Sequence, residues 1–563
     1  MNFRKKLERR IDAALGKIPC DLTLTGVSYL DVFSLEWRKG DVSIIDGTIV
    51  GLEPGLKATR TFSAKNKFLT PGFIDAHVHI ESSLMTPLSF ASLVLSKGTT
   101  TVVSDPHEIA NVMGVTGLEY FLQEALVSPL DLRVMLSSCV PATDMETNGA
   151  GHLKVDSLLP YQNHPKTLGL AEVMNVPGVL SKDTEMLDKI EAFIRSNLDG
   201  HCPLLKGKEL SAYASTGISS CHESSELEEA REKLTKGIQI WIREGSVAKD
   251  LKTLLPLLNL STSTLIGFCT DDRNPLDIME EGHIDFLVRT AIKKGVDSKI
   301  ALRAASFSVA RHYGLDRGPE RLGAIAPGYE ANLVLLDNLE TLATHQVFKK
   351  GIPVSELSTS KSENLRFANT IQATPPEVND LVGAEGQVHV IEIHPGKIIT
   401  SRTIESHQAE GVSRLSVLER YGRNSPPANG YVRGFGERFS GAIASSVGHD
   451  SHNLIVTGSS PEEMQLALKT LIDCGGGFCV VKKESVLALL ELPFAGLMSN
   501  KSPEYIKQKL RELKKASREV GCELEEPFLQ LAFLSLPVIP SLKLTDKGLV
   551  DVDRFQIIDV RAS

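Results

Sequence analysis

The sequence contains no run of 18 apolar residues, so no segment is long enough to cross a bilayer as a helix. Its eight cysteines (Cys20, Cys139, Cys202, Cys221, Cys269, Cys474, Cys479, Cys522) form no Cys-x-x-Cys pair. That usage fits a reducing compartment, and a cytoplasmic protein is expected. Positive charge is in deficit, with 61 Lys and Arg against 70 Asp and Glu and a net charge of -9. A nucleic-acid partner would call for a basic face, so none is expected, and no membrane partner either. No period of 20–50 residues recurs, which excludes a solenoid. The glycine-rich "CGGGF" (474–478) lacks the Lys-Ser/Thr of a phosphate loop and follows a helical pattern, so it is expected to be a helix stop.

At 563 residues, with 42% hydrophobic and 23% charged residues, the chain is globular and too long for one core. The N-terminal "MNFRKKLERRIDAALGK" has no apolar core or small-residue cleavage site, and it predicts an amphipathic helix, not a signal peptide. Residues 21–70 are short strand-like runs broken by turns, among them the hairpin signal Asp46-Gly47. The same texture returns near 322–354. Between them, eight apolar runs alternate with helical patterns: "GFIDAHVHI", "TTTVVSDPHE", "LRVMLSSCV", "TLGLAEVMN", "NLDGHCP", "GISSCHES", "GIQIWIREG" and "TLIGFCTDDR". Eight βα units in about 240 residues predict a (β/α)8 barrel. The expected fold class is α/β: this TIM-like barrel, a small β-sandwich domain built from the segments flanking it, and a C-terminal α/β domain. The expected boundaries are 1–70 for the N-terminal helix and first half of the sandwich, 71–320 for the barrel, 321–360 for the second half, and 381–563 for the C-terminal domain. A polar connector spans 355–380.

In such a barrel the C-terminal strand ends face one pocket. The first run ends in His77 and His79, which alternate on one face of a strand and converge. The second ends in Asp105-Pro106-His107-Glu108, the fourth in Glu172, the fifth in His201, the sixth in His222-Glu223 and the eighth in Asp271-Asp272. Six of eight strands thus bring an imidazole or carboxylate to one rim, the donor set of a metal site. Duller roles exist for single members: a turn cap for Glu172, core histidines for His201 and His222, an Asx-turn for Asp271 or Asp272 before "RNP". Cys202 and Cys221 adjoin ligand candidates, but strand alternation turns them away, towards packing.

The motif "PGFIDAHVH" resembles the amidohydrolase superfamily. The resemblance implies that His77, His79 and Asp271 bind one divalent ion, that His201 and His222 bind a second, and that a residue on strand 4 bridges them. Many relatives use a carboxylated lysine there; this chain offers Glu172 in "GLAEVMN". With "HVHIESS", "DPHEIANV", "GHCP", "CHESS", "FCTDDRNPLDI", "ERYGRN" and "LPFAGLMSN", the chain resembles bacterial and archaeal adenine deaminases nearly end to end. The implied activity is hydrolytic deamination of a purine base, adenine, with two divalent metal ions. Mn2+ is favoured, with Fe2+ or Zn2+ as alternatives. Asp271 is the expected proton carrier, and Glu223, His107 and Glu108 are the candidates to protonate N1 of the ring. Ser82 and Asp272 are candidate substrate contacts. So are His449, Asp450 and His452 in the polar "GHDSHN", read either as a loop closing over the barrel or as a self-satisfied turn. The competing readings are a cyclic-amide hydrolase of the same superfamily and a non-catalytic scaffold. A homo-oligomer is expected, since barrels of this kind commonly assemble.

Overall fold

Each of the eight apolar runs becomes a strand in the computed structural model, which describes residues 2–357 and 369–562. They are β1 (Phe73–Val78), β2 (Thr99–Ser104), β3 (Asp131–Leu136), β4 (Thr167–Val173), β5 (Asn197–Gly200), β6 (Ser220–Cys221), β7 (Gln239–Arg243) and β8 (Ile266–Cys269). Strands adjacent in sequence pair in parallel throughout. Parallel neighbours need crossovers, and helices such as Pro87–Ser96, Val115–Val127 and Thr184–Phe193 lie between them. The ring closes just past β8, where Asp271 bridges Val78 in parallel. There the Asp271 N–H donates to the His77 carbonyl at 3.0 Å, and the His79 N–H donates to the Asp271 carbonyl at 3.4 Å.

The two flanks of the barrel share one eight-stranded sheet. Five strands precede the barrel (Cys20–Asp31, Glu36–Ile45, Thr48–Gly51, Ala58–Ser63, Phe68–Pro71) and three follow it (Leu333–Asn338, Ala343–Lys349, Ile352–Pro353). The seam is the antiparallel pairing of Phe68–Pro71 with Leu333–Asn338. These strands form the small β-domain expected from the two flanks, hydrogen-bonded as one continuous sheet. Its continuity comes from the long strand Cys20–Asp31. It carries an irregularity between Leu24 and Val27 and pairs first with Ala58–Ser63, then with Phe68–Pro71. Leu24, Val42, Ile44, Leu69, Leu333 and Phe348 belong to one buried core of the sheet. Asp46 and Gly47 turn the predicted hairpin with φ of 48° and 74°. The N-terminal helix spans Phe3–Ala14. The predicted connector at 355–380 lies partly outside the described residues.

Residues 387–491 build a third eight-stranded sheet, antiparallel except where Gln387–Ile393 pairs with Ala428–Arg433. Helix Pro461–Cys474 packs Met464, Leu468 and Leu471 on one face of it. That helix begins at the Ser460 cap and stops at Gly475 with φ 80°, so "CGGGF" is indeed a stop signal. The opposite face of the sheet meets the barrel. Ile391, Val417, Val432, Ile455 and Val480 belong to the same buried cluster as Val78, Leu84, Met85, Phe90 and Leu276. Polar links cross the same boundary: Ser499 N–H to the Leu84 carbonyl at 2.9 Å and Asn453 Nδ2 to the Thr147 carbonyl at 2.9 Å. A small antiparallel sheet (Leu542–Thr545, Gly548–Asp551, Gln556–Ile558) completes the chain. Truncation after residue 369 therefore uncovers the barrel's share of this core. The expected outcome is an aggregating, inactive product in size-exclusion and turnover assays, and a soluble active fragment would refute the shared core.

Candidate metal and substrate site

The strand ends deliver their side chains to one buried point. Asp75, fully buried on β1, accepts from the His77 N–H at 3.3 Å and from the Thr270 N–H at 3.1 Å. Its other oxygen takes the Thr270 hydroxyl, so this one carboxylate ties the ends of β1 and β8 together. His79 follows β1 and caps the short 3-10 turn Ile80–Ser83, and its Nδ1 is 2.9 Å from the Asp105 carbonyl beyond β2. Asp271 sits in the left-handed region with φ 53°, which costs a non-glycine residue about 1–3 kcal/mol. The two barrel-closing hydrogen bonds hold it there.

All six predicted ligands come together. His77 Nε2 and His79 Nε2 lie 3.1 Å apart. Asp271 Oδ1 is 3.6 Å from the first and 3.2 Å from the second, and Glu172 Oε1 is 3.9 and 3.4 Å from them. The other oxygen of Glu172, Oε2, is 2.8 Å from His201 Nδ1 and 3.2 Å from His222 Nε2. Metal–ligand bonds of about 2.0–2.2 Å at tetrahedral or octahedral angles space neighbouring ligand atoms about 3.0–3.5 Å apart. The donor atoms observed here have nearly that spacing, and two imidazole nitrogens at 3.1 Å can share only one proton. A set of imidazoles and carboxylates without thiolate fits a divalent cation.

Electrostatics hold the acids ionised. Burial pushes the Glu172 carboxyl up, but the His222 charge and hydrogen bonds from His107, His201 and His222 take it well below the usual range. Asp271 behaves likewise: burial raises it, and His77, His79 and the Arg243 guanidinium outweigh burial. Arg243, at the end of β7 in "IWIREG", was not singled out from the sequence. It donates to Asp271 Oδ2 at 3.0 Å, to Asp250 Oδ2 at 2.9–3.0 Å and to both oxygens of Glu223. Glu223 is thereby committed to the guanidinium and its carboxyl lowered; its position does not favour the proton-donor role expected for it.

The other predicted residues form two further groups. His107 opens helix His107–Met113. Its Nδ1 is 3.3 Å from Glu172 Oε1 and 3.2 Å from Asp105 Oδ2, while Nε2 makes no hydrogen bond and faces Asp450 Oδ1 at 3.6 Å. Glu108 lies behind it, where the Ser82 hydroxyl bonds both Glu108, at 3.0 Å, and Asp272. Burial, then the Glu108 charge, pushes the neighbouring Glu81 carboxyl up to about 8, and burial raises Glu108 too. His449 Nδ1 is 3.3 Å from Asp450 and 3.6 Å from Glu108, with Nε2 unpartnered. His452 departs from expectation: its backbone turns with φ 55°, its ring stands 5.9 Å behind that of His449, and it does not line the pocket. Cys202 and Cys221 are buried away from the pocket, their sulfurs 3.6 Å apart beside Lys233 Nζ.

The ligand groups line a pocket walled by His79, His107, Glu172, His222 and Asp271 from the barrel. The C-terminal domain supplies the roof: Ile398, His449, Asp450, Phe533, Leu536 and Ile539. Phe533 stacks on His449 with ring centroids 4.7 Å apart at 9°. The "GHDSHN" segment thus closes over the barrel, while the apolar part of the roof carried no local signal. Glu172→Gln keeps the shape and removes the charge shared between the two ligand groups. Elemental analysis after dialysis is expected to show bound metal reduced by about half or more, and wild-type stoichiometry would refute the bridging position.

Residues 68–369 match the amidohydrolase family, and residues 395–556 match the adenine deaminase C-terminal domain. An adenine deaminase of Brucella anthropi is 46% identical over 98% of this chain and 100% of its own. Adenine deaminase 1 of Rhizobium johnstonii is 45% identical over 98% of this chain and 99% of its own, and that of Rhizobium meliloti 46% over 98% and 99%. By its two matched domains and its end-to-end likeness to these enzymes, this chain belongs to the adenine deaminase family of amidohydrolases.

Proposed function

We propose that this site hydrolyses adenine to hypoxanthine and ammonia, using two divalent cations, Mn2+ foremost. The observation that carries the two-ion reading is Glu172, whose oxygens face different imidazole groups: Oε1 towards His77 and His79, Oε2 towards His201 and His222. When bound, such cations make a water molecule acidic near neutral pH. The remaining work falls to side chains. Addition of water at C6 needs a base, and departure of ammonia needs an acid. Asp271, ionised and aimed by Arg243, serves as both, taking the water's proton and passing it to the amine.

Electron density must move onto N1 as C6 is attacked, so a donor has to meet that nitrogen. With Glu223 held by Arg243, His107 and Glu108 remain, and only His107 lines the pocket. Its Nε2 makes no hydrogen bond and has Asp450 Oδ1 near it, at 3.6 Å, so His107 takes the N1 role and Glu108 supports the wall behind it. His449 presents its own unpartnered Nε2 from the roof. Burial alone would lower this imidazole, but the bond to Asp450 and the Asp272 and Glu108 charges carry it up to about 9. It therefore donates to a ring nitrogen at neutral pH. Eight free cysteines, including the unbonded Cys202 and Cys221, accord with a cytoplasmic setting.

Asp271→Asn is expected to slow adenine turnover by about 10²–10⁴-fold, followed by the ultraviolet change and ammonia release; a rate near wild type would remove Asp271 from proton transfer. Chelation should abolish activity and Mn2+ restore it. Run with a dihydropyrimidine in parallel, the same assay separates the readings, since ring opening without ammonia would favour the cyclic-amide hydrolase.

A further inference from the structure

We propose that Lys543 is a positioning residue for deamination, pinning together the two segments that roof the substrate pocket. Lys543 lies on strand Leu542–Thr545 and is fully buried. Its Nζ donates to the Ile398 carbonyl at 2.8 Å and to the Phe533 carbonyl at 2.9 Å. Both of these residues line the metal pocket, although 135 positions separate them in sequence. One amine thus holds the two halves of the roof from behind.

The chemistry of this contact is unusual for a structural strand residue. Burial alone acts on the amine and takes it down to about 7. Whatever its charge, two of its N–H donors meet the two carbonyls. A leucine or methionine would pack in such a place without desolvating an amine, but would leave both carbonyls without this donor. The Ile398 carbonyl belongs to irregular backbone, which cannot satisfy itself by helix or sheet bonds, and the Phe533 carbonyl, at the start of the 3-10 turn Phe533–Ser535, has besides Lys543 only the long bond from the Leu536 N–H at 3.5 Å.

Two routes carry the position of Lys543 to the reacting ring. Through Phe533, it sets the aromatic face stacked on His449, whose N–H also donates to the Ala532 carbonyl at 3.2 Å and whose carbonyl accepts from Ser535 Oγ at 3.1 Å. Through Ile398, it sets the segment that Gln530 Nε2 also holds, by the Lys397 carbonyl at 2.8 Å. The ligand affected is a flat heterocycle: Ile398, Phe533, Leu536 and Ile539 offer it an apolar ceiling, and the barrel rim offers the polar floor. The metal ligands stand on the barrel and none is touched by Lys543.

The inference rests on the pocket being the adenine site, and the test separates the two. Lys543→Met retains the stem and removes both donors. With metal content equal to wild type, the KM for adenine should rise about fivefold to fiftyfold, the range that one or two net hydrogen bonds carry, with kcat changed far less. Phe533→Leu, which loses the stack on His449 but leaves Lys543 in place, should raise KM in the same direction and covers the case in which the methionine variant does not fold. Lys543→Gln, which restores two N–H donors on a shorter stem, should recover part of the loss. Unchanged KM in a folded Lys543→Met or in Phe533→Leu, even with a lowered melting temperature, would overturn the positioning role. Wild type that neither turns over adenine nor binds hypoxanthine by calorimetry would instead overturn the functional reading beneath it.

Discussion

A single buried carboxylate organises the centre of this protein. Glu172 is almost wholly shielded from water, yet it is ionised because imidazoles approach both of its oxygens. An isolated carboxylate in such a place would be neutralised; surrounded by His77, His79, His107, His201 and His222, it holds donors from β1, β2, β5 and β6 around β4. The arrangement of the rim follows from satisfying that cluster.

The scaffold and the site share bonds. Asp75 links β1 to the end of β8, and Asp271 closes the ring with its main chain while its side chain faces His77 and His79. Arg243 gathers three carboxylates that would otherwise repel one another across the last strands. The strained backbone at Asp271 is stored where the chemistry is, held by hydrogen bonds on either side.

Much of this was legible in the amino-acid order because barrel chemistry lies next to barrel strands. An apolar run and the His or Glu that follows it are neighbours in the chain, so "FIDAHVH" or "TLGLAEV" displays strand and ligand in one glance. The same rule explains what stayed hidden. Ile398, Phe533, Leu536 and Ile539 are apolar, distant from the barrel in sequence, and indistinguishable from core residues until the C-terminal sheet docks. Arg243 read as the end of a strand, because an ion pair with residues 20 and 28 positions away leaves no periodic trace. Within the polar "GHDSHN" nothing separated His452 from His449, and it is a left-handed backbone at His452 that keeps its ring out of the pocket.

The union of barrel and C-terminal domain in one apolar core has a mechanical consequence. A roof carried on a hinged module would open by swinging, and access to the chamber would be paced by that swing. Here the supporting sheet is welded to the barrel through Met85, Phe90, Leu276 and Val480, so the module as a whole has little freedom to tilt. A path for purine and ammonia would then have to open within the roof itself, at the bend around Ile398 and the helical turn at Phe533.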